Sequence, residues 1–188
     1  MRGGVAHASI AYEHIQARRS QRVLSVPPGG VLHDYVPFHF APRSPMLYTI
    51  HQGNVPNGPP QADIVHLCTT AQDIAAAGLS FAFSDYHAVL DYARFSNNLG
   101  DLSWIDWPIF FEAPQKGGYC PYWKNDSTAQ HMRRKETRQA EFLVHQRVPI
   151  AVVRGIAAAN DAAAARVSNV LQQAGWNVPV KSFPAWYY

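Results

Sequence analysis

The 188 residues, 47% apolar and only 15% charged, supply one domain of ordinary size with material for a core, and they exclude a disordered chain. Sixteen Lys and Arg against 13 Asp and Glu leave a formal charge of +3, too little for a histone-like tail, so any nucleic-acid site has to come from local clustering. Two cysteines, Cys68 and Cys120, are too few for a disulfide framework or a zinc knuckle, no apolar stretch is long enough to cross a bilayer and no signal-peptide core follows Met1, so the expectation is a cytoplasmic protein without a membrane partner.

Ser9 to Arg22 is polar and basic and offers only a weak helical face through Ile10 and Ile15. Pro27-Pro28-Gly29-Gly30 is a turn, since proline fixes φ and glycine permits positive φ. Val31 to Phe40 alternates as a strand, restricted by Pro37 to an edge or a bulge. After a break at Pro42 to Pro45, Met46 to His51 reads as another short strand, and Gly53 to Pro60 as an irregular loop. Asp63 to Cys68 is strand-like; Thr69 or Thr70 caps a helix through Ala77 that Gly78 stops.

Phe81 to Phe83 reads as a strand, with Ser84 or Asp85 capping a helix that carries Tyr86 to Phe95. Residues 97–130 have turns, aromatics and little periodicity, a length of connection that is usually functional. Ala140 to His145 and Ile150 to Ile156 read as a strand pair joined at Pro149. Asp161 caps an alanine-rich helix to Ala174, Gly175 stops it, and Val178 to Phe183 is a last strand. Strands and helices do not alternate regularly, so a single α+β domain is expected rather than a doubly wound sheet.

The chain has no GxGxxG, P-loop, GxSxG or HExxH, and its nine histidines show no metal-ligand spacing, so no metal is expected. Lys124 to Arg138, with five basic and two acidic residues, includes Arg133, Arg134, Lys135 and Arg138, and Tyr119, Tyr122 and Trp123 precede it closely. Cations beside rings suit a single-stranded nucleic acid; a solvated loop over buried aromatics has the same composition. In the strand from Ala140, alternation sets Phe142 and Val144 on one face and Glu141, Leu143 and His145 on the other. A carboxylate directly after a basic segment suits a sugar hydroxyl and a cationic centre, as in glycosyl transfer; it suits a solvated strand edge equally well.

Two segments carry a resemblance: Tyr35 to Leu47 (YVPFHFAPRSPML) and Arg138 to Val144 (RQAEFLV). With Ile105-Asp106-Trp107 and the turn Pro28 to Leu32, they resemble the DarT toxins, over about Ser9 to Ile156. The resemblance implies an ADP-ribosyltransferase-like α+β fold with a central split antiparallel sheet flanked by helices. It implies transfer of ADP-ribose from NAD to a base, thymine, in single-stranded DNA, with a macrodomain antitoxin as partner. Glu141 falls at the family's catalytic glutamate, Arg19 (with Arg18 and Arg22 as neighbours in register) at its essential arginine, and His87 at an assisting histidine. His39, Arg43, Ser44 and Met46 fall on the stretch that lines the NAD pocket, His39 standing where a tyrosine is common. Tyr122, Trp123, Arg133, Arg134, Lys135 and Arg138 are the expected DNA contacts, beside an enlarged target-recognition loop between Phe111 and Arg133. The family's additional first strand and helix have no counterpart before Ser9, so an N-terminally short domain is expected, with a nucleic-acid-binding remnant or a transferase acting on RNA or protein as the alternatives.

Overall fold

A computed structural model describes residues 12–56, 58–113 and 121–188; the placements expected for Ser9 to Ala11, Tyr119 and Cys120 lie outside them. Among the described residues, six helices, α1 (Glu13–Gln21), α2 (Pro45–His51), α3 (Ala71–Ala76), α4 (Trp107–Phe111), α5 (Arg134–Thr137) and α6 (Asp161–Gln173), accompany seven strands. These are β1 (Tyr35–His39), β2 (His66–Cys68), β3 (Phe81–His87), β4 (Phe95–Ser96), β5 (Ala140–His145), β6 (Gly155–Ala158) and β7 (Val180–Ser182). A four-stranded antiparallel sheet has the order β1-β5-β3-β4, and a three-stranded sheet the order β2-β6-β7. This is the expected split α+β arrangement. None of the described helices is long and apolar enough to cross a membrane.

Strand β5 is central and both its faces are covered. Ala140, Phe142 and Val144 join one core cluster with Ile74, Phe83, Ile105 and Phe110. Leu143 joins another with Leu24, Leu32, Tyr35 and Val89. The alternation read from the sequence holds, and Glu141 belongs to the Leu143 face. Pro37 lies on edge strand β1, where its missing N–H costs no ladder bond.

The structure corrects four local expectations. Met46 to His51 is helical because Ser44 accepts the Leu47 N–H at 3.1 Å and Pro45 occupies the first turn, so capping outweighs a brief alternation. Ser84 and Asp85 do not start a helix; β3 runs on to His87 and the chain turns over residues 88–92 into β4. Strands β5 and β6 are not a pair: Gln146 at φ 62° and a 3₁₀ turn at Ile150–Val152 carry the chain to the second sheet. There β6 pairs antiparallel with β2 and parallel with β7, with α6 as the crossover. Asn160, one residue before the expected Asp161, caps α6 through the Ala163 N–H at 2.9 Å.

Helix α1 has a single buried residue, Arg19, and is docked by its arginines rather than by an apolar stripe. Arg18 donates to the Val89 carbonyl at 3.1 Å and Arg22 to the Leu90 carbonyl at 3.0 Å. Both therefore hold the turn after β3, and Arg19, between them in sequence but turned away around the helix, points elsewhere.

The C-terminal residues are fastened to the three-stranded sheet. The Tyr187 hydroxyl shares its one proton between the carbonyls of Ile64, 2.9 Å away, and Ala157, 3.1 Å away. Burial, with the Cys68 thiol nearby, pushes that phenol up to about 12.

Candidate active site

Strand pairing builds the centre of the site. His39 is opposite Glu141 in the β1–β5 register. On the other side, β3 spends two extra residues between the pairs Phe83–Phe142 and His87–Ala140. This bulge deprives Glu141 of a backbone acceptor, and the fully buried Ser84 hydroxyl takes over: it accepts the Glu141 N–H at 3.2 Å and donates to the Tyr86 carbonyl at 2.6 Å. The bulge also brings His87 alongside, with Nε2 3.9 Å from Glu141 Oε1.

The Glu141 side chain, 3% exposed, is held by Arg19, whose Nη1 lies 3.0 Å from Oε1 and 2.7 Å from Oε2. Of the three arginines in register, the geometry therefore singles out Arg19. A buried carboxylate is tolerable only when so paired. Arg19 Nη2 is buried and has no hydrogen-bond partner among the described residues, which leaves one charged donor beside the carboxylate.

The neighbouring imidazoles are neutral at pH 7. Desolvation pushes His87 below the usual histidine value; Glu141 draws it upward, and Arg19, Arg18 and His39 add to the depression. The walls around His39 desolvate it in the same direction, against Glu141 and with Arg19. Beyond His39 a cleft of about 700 Å³ runs between β1 and α2 on one side and β2 and α3 on the other. His39, Ser44 and Met46 line it, with Phe40, Leu47, His66 and Trp186. Ser44 uses its hydroxyl as the α2 cap, and Met46 is 42% exposed.

Arg43 is placed differently. Its guanidinium donates to the carbonyls of Tyr187 and Ala185, and it is not part of the cleft lining. It fastens the C-terminal segment that carries Trp186 to the wall.

The expected nucleic-acid residues separate into two sets. Tyr122 and Trp123 are 3% and 7% exposed, and the expectation that they offer open ring faces is corrected. The Arg138 guanidinium sits 3.6 Å from the Tyr122 ring centre and donates to the Ile109 carbonyl at 2.6 Å, while Trp123 Nε1 donates to the Tyr188 hydroxyl at 3.1 Å. Arg138 is itself buried, so this is a packed cluster. Arg134 pairs with Glu112 at 2.9 Å, and His131 joins Glu112 and Asp126 in the same loop staple. Arg133 and Lys135 are exposed, Arg133 resting 4.6 Å from the Tyr92 ring centre and 5.5 Å from that of Tyr86.

Two contributors escape a reading of the sequence. Ser84 carries a signal, a lone hydroxyl within the apolar run of β3, yet the same hydroxyl reads equally as a helix cap. His66 lines the cleft with Nε2 buried and unpartnered among the described residues, its pKa lowered by desolvation and by His39; a lone histidine in a three-residue strand gives no sequence signal.

The chain matches, over residues 1–188, the model of a family described as "ssDNA thymidine ADP-ribosyltransferase, DarT". A DNA ADP-ribosyl transferase of Thermus sp. (strain 2.9) is 44% identical over 165 residues, covering 88% of this chain and 73% of that protein. The structure of Thermus sp. 2.9 DarT in complex with ADP-ribosylated ssDNA superimposes with a TM-score of 0.85 at 40% identity, over 96% of this chain and 81% of that one. Thermus sp. 2.9 DarT in complex with NAD+ gives 0.80 at 37% identity, over 91% and 81%.

Proposed function

From the premise that the chain belongs to the DarT family of single-stranded DNA ADP-ribosyltransferases, we propose that it transfers ADP-ribose from NAD to a thymine base, with Glu141 as the catalytic carboxylate. The observation that carries the assignment is the buried Arg19–Glu141 pair with His87 beside it, one strand away from a cleft of dinucleotide scale.

The residues present fit the co-substrate. About 700 Å³ lies within the roughly 300–1,000 Å³ usual for small-molecule sites. Two buried nitrogens, Arg19 Nη2 and His66 Nε2, lack partners among the described residues and could take polar groups of such a ligand. NAD supplies an ADP-ribosyl group whose bond to nicotinamide breaks with positive charge growing on the ribose.

Glu141 stabilises that charge and holds ribose hydroxyls in place. Arg19, charged at any working pH, fixes the carboxylate rotamer and polarises through its spare N–H groups. His87, neutral, supports the arrangement by hydrogen bonding. His39 and Met46 line the co-substrate's path, and Ser44 shapes it by starting α2. Among the expected DNA contacts, exposed Arg133 and Lys135 meet the strand. Tyr122, Trp123, Arg134 and Arg138 instead brace the loop that presents them. The acceptor is single-stranded because the reacting edge of a base is hidden in a duplex.

We assign the protein a toxin's role in the cytoplasm, where DNA and NAD meet, with a macrodomain antitoxin reversing the mark. The test is incubation with labelled NAD beside single-stranded DNA, duplex DNA, RNA and protein. Label on thymine-containing single strands, lost in Glu141→Gln, is the expected result. Label confined to RNA or protein, or undiminished in Glu141→Gln, overturns the reading.

A further inference from the structure

We infer that Phe183 to Tyr188 form a strap coupling the co-substrate cleft to the loop that presents Arg133 and Lys135, a proposal that rests on the function proposed above. Filling the cleft tightens the hold on single-stranded DNA, and a bound strand tightens the hold on the co-substrate. The strap reaches both places within a few residues. Trp186 lines the cleft, its ring stacked on Phe183 at 4.6 Å and edge-on to His66 at 5.9 Å. Tyr188 accepts the Trp123 indole N–H on its hydroxyl at 3.1 Å. Tyr187, between them, is anchored on the carbonyls of Ile64 and Ala157.

Trp123 and Arg138 bracket the loop. Trp123 ends the 3₁₀ turn before it, and Arg138 stands between α5 and β5. The Arg138 guanidinium lies 3.6 Å from the Tyr122 ring centre and 5.6 Å from that of Trp123, so the two ends of the loop are pinned to one another. Tyr188 is held from the cleft side as well. Gln61 accepts its backbone N–H at 3.0 Å and donates to its carbonyl at 3.1 Å. Its ring packs against Tyr48 and His51 of α2, with ring centres 5.0 and 5.8 Å apart, and Met46 and Leu47 of that helix line the cleft. Arg43, just before the α2 cap, ties down the carbonyls of Ala185 and Tyr187. A ligand resting on Trp186 and α2 therefore restrains the same residues that hold the base of the loop. Restraint shared by two sites lowers the entropic cost of the second binding event, and linkage makes the effect reciprocal.

The experiment uses carba-NAD, a carbocyclic analogue that keeps its nicotinamide, and a thymine-containing single-stranded oligonucleotide. The Kd of each is measured by titration, alone and at saturation of the other. In wild-type protein carba-NAD lowers the oligonucleotide Kd about tenfold, and the oligonucleotide lowers the carba-NAD Kd by the same factor. Tyr188→Phe, which removes only the acceptor of the Trp123 N–H, cuts that factor to about threefold or less, while each Kd measured alone changes by less than about threefold. Trp123→Phe, which removes the donor instead, has the same effect on the factor. Wild-type protein that binds both ligands with no coupling between them overturns the strap alone, and so does a coupling factor that Tyr188→Phe leaves intact. Wild-type protein that binds no carba-NAD or no single-stranded DNA overturns the function reading, and the strap with it.

Discussion

The Ser84 hydroxyl accepts the backbone N–H of Glu141 at 3.2 Å, where a bulge removes the ladder partner that a regular strand would provide. The residue proposed as catalytic is therefore positioned by a side chain. Ser84→Ala leaves the Glu141 N–H and the Tyr86 carbonyl buried and without this partner, an expected cost of about 1–3 kcal/mol in denaturant unfolding. Labelling of DNA falls further than that loss accounts for, through kcat rather than KM. Wild-type kcat in a folded Ser84→Ala variant contradicts the positioning role.

Breaking the Arg19–Glu141 pair strands a buried charge. Arg19→Ala is expected to cost about 3–5 kcal/mol and to abolish labelling. Arg19→Met with Glu141→Leu removes both charges and recovers much of the stability without activity. The signature is a strongly non-additive double-mutant cycle in urea unfolding; additive losses contradict the coupling.

The histidines set the acid side of the pH profile. His39 and His87 have folded-state values below the ordinary one, near 6.5. As pH falls from about 6.5 toward the folded values, the unfolded chain binds protons first, so stability declines through that window and is flat above it. Protonated His87 would also compete with Arg19 for Glu141. The acid limb of kcat/KM is expected below pH 6.5, and His87→Gln, which cannot protonate, removes much of it. A limb centred above 6.5 contradicts the neutral imidazole.

The basic run divides by burial. Trp123→Ala opens a hole in the cluster with Tyr122 and Tyr188 and is expected to cost about 3–5 kcal/mol, seen as a lower Tm. Lys135→Ala, at an exposed position, leaves Tm within experimental scatter and lowers the salt slope of oligonucleotide binding by about one. The reverse pattern contradicts the partition.

The central strand was legible because alternation survives in Ala140 to His145 and fixes which side chains share a face with Glu141. Pro37 announced an edge, and Thr70 and Gly78 bounded α3 where their chemistry put them. What failed was local and short. Ser44 and Pro45 hold a capping signal strong enough to turn Met46 to His51 helical, and the bulge in β3 disguised Ser84 as a cap. Tyr122, Trp123 and Arg138 show the limit of composition: rings and cations close in sequence describe a buried cation–π stack as well as an open platform. Only burial separates the two.

Arg19 and Glu141 are 122 residues apart, and His87 reaches the pair from a third position along the chain. A fragment ending anywhere before β5 has no carboxylate, and one starting after α1 has no guanidinium to keep that carboxylate folded inward. Interrupted translation or a single cut between them separates the two charges, and neither piece holds the pair.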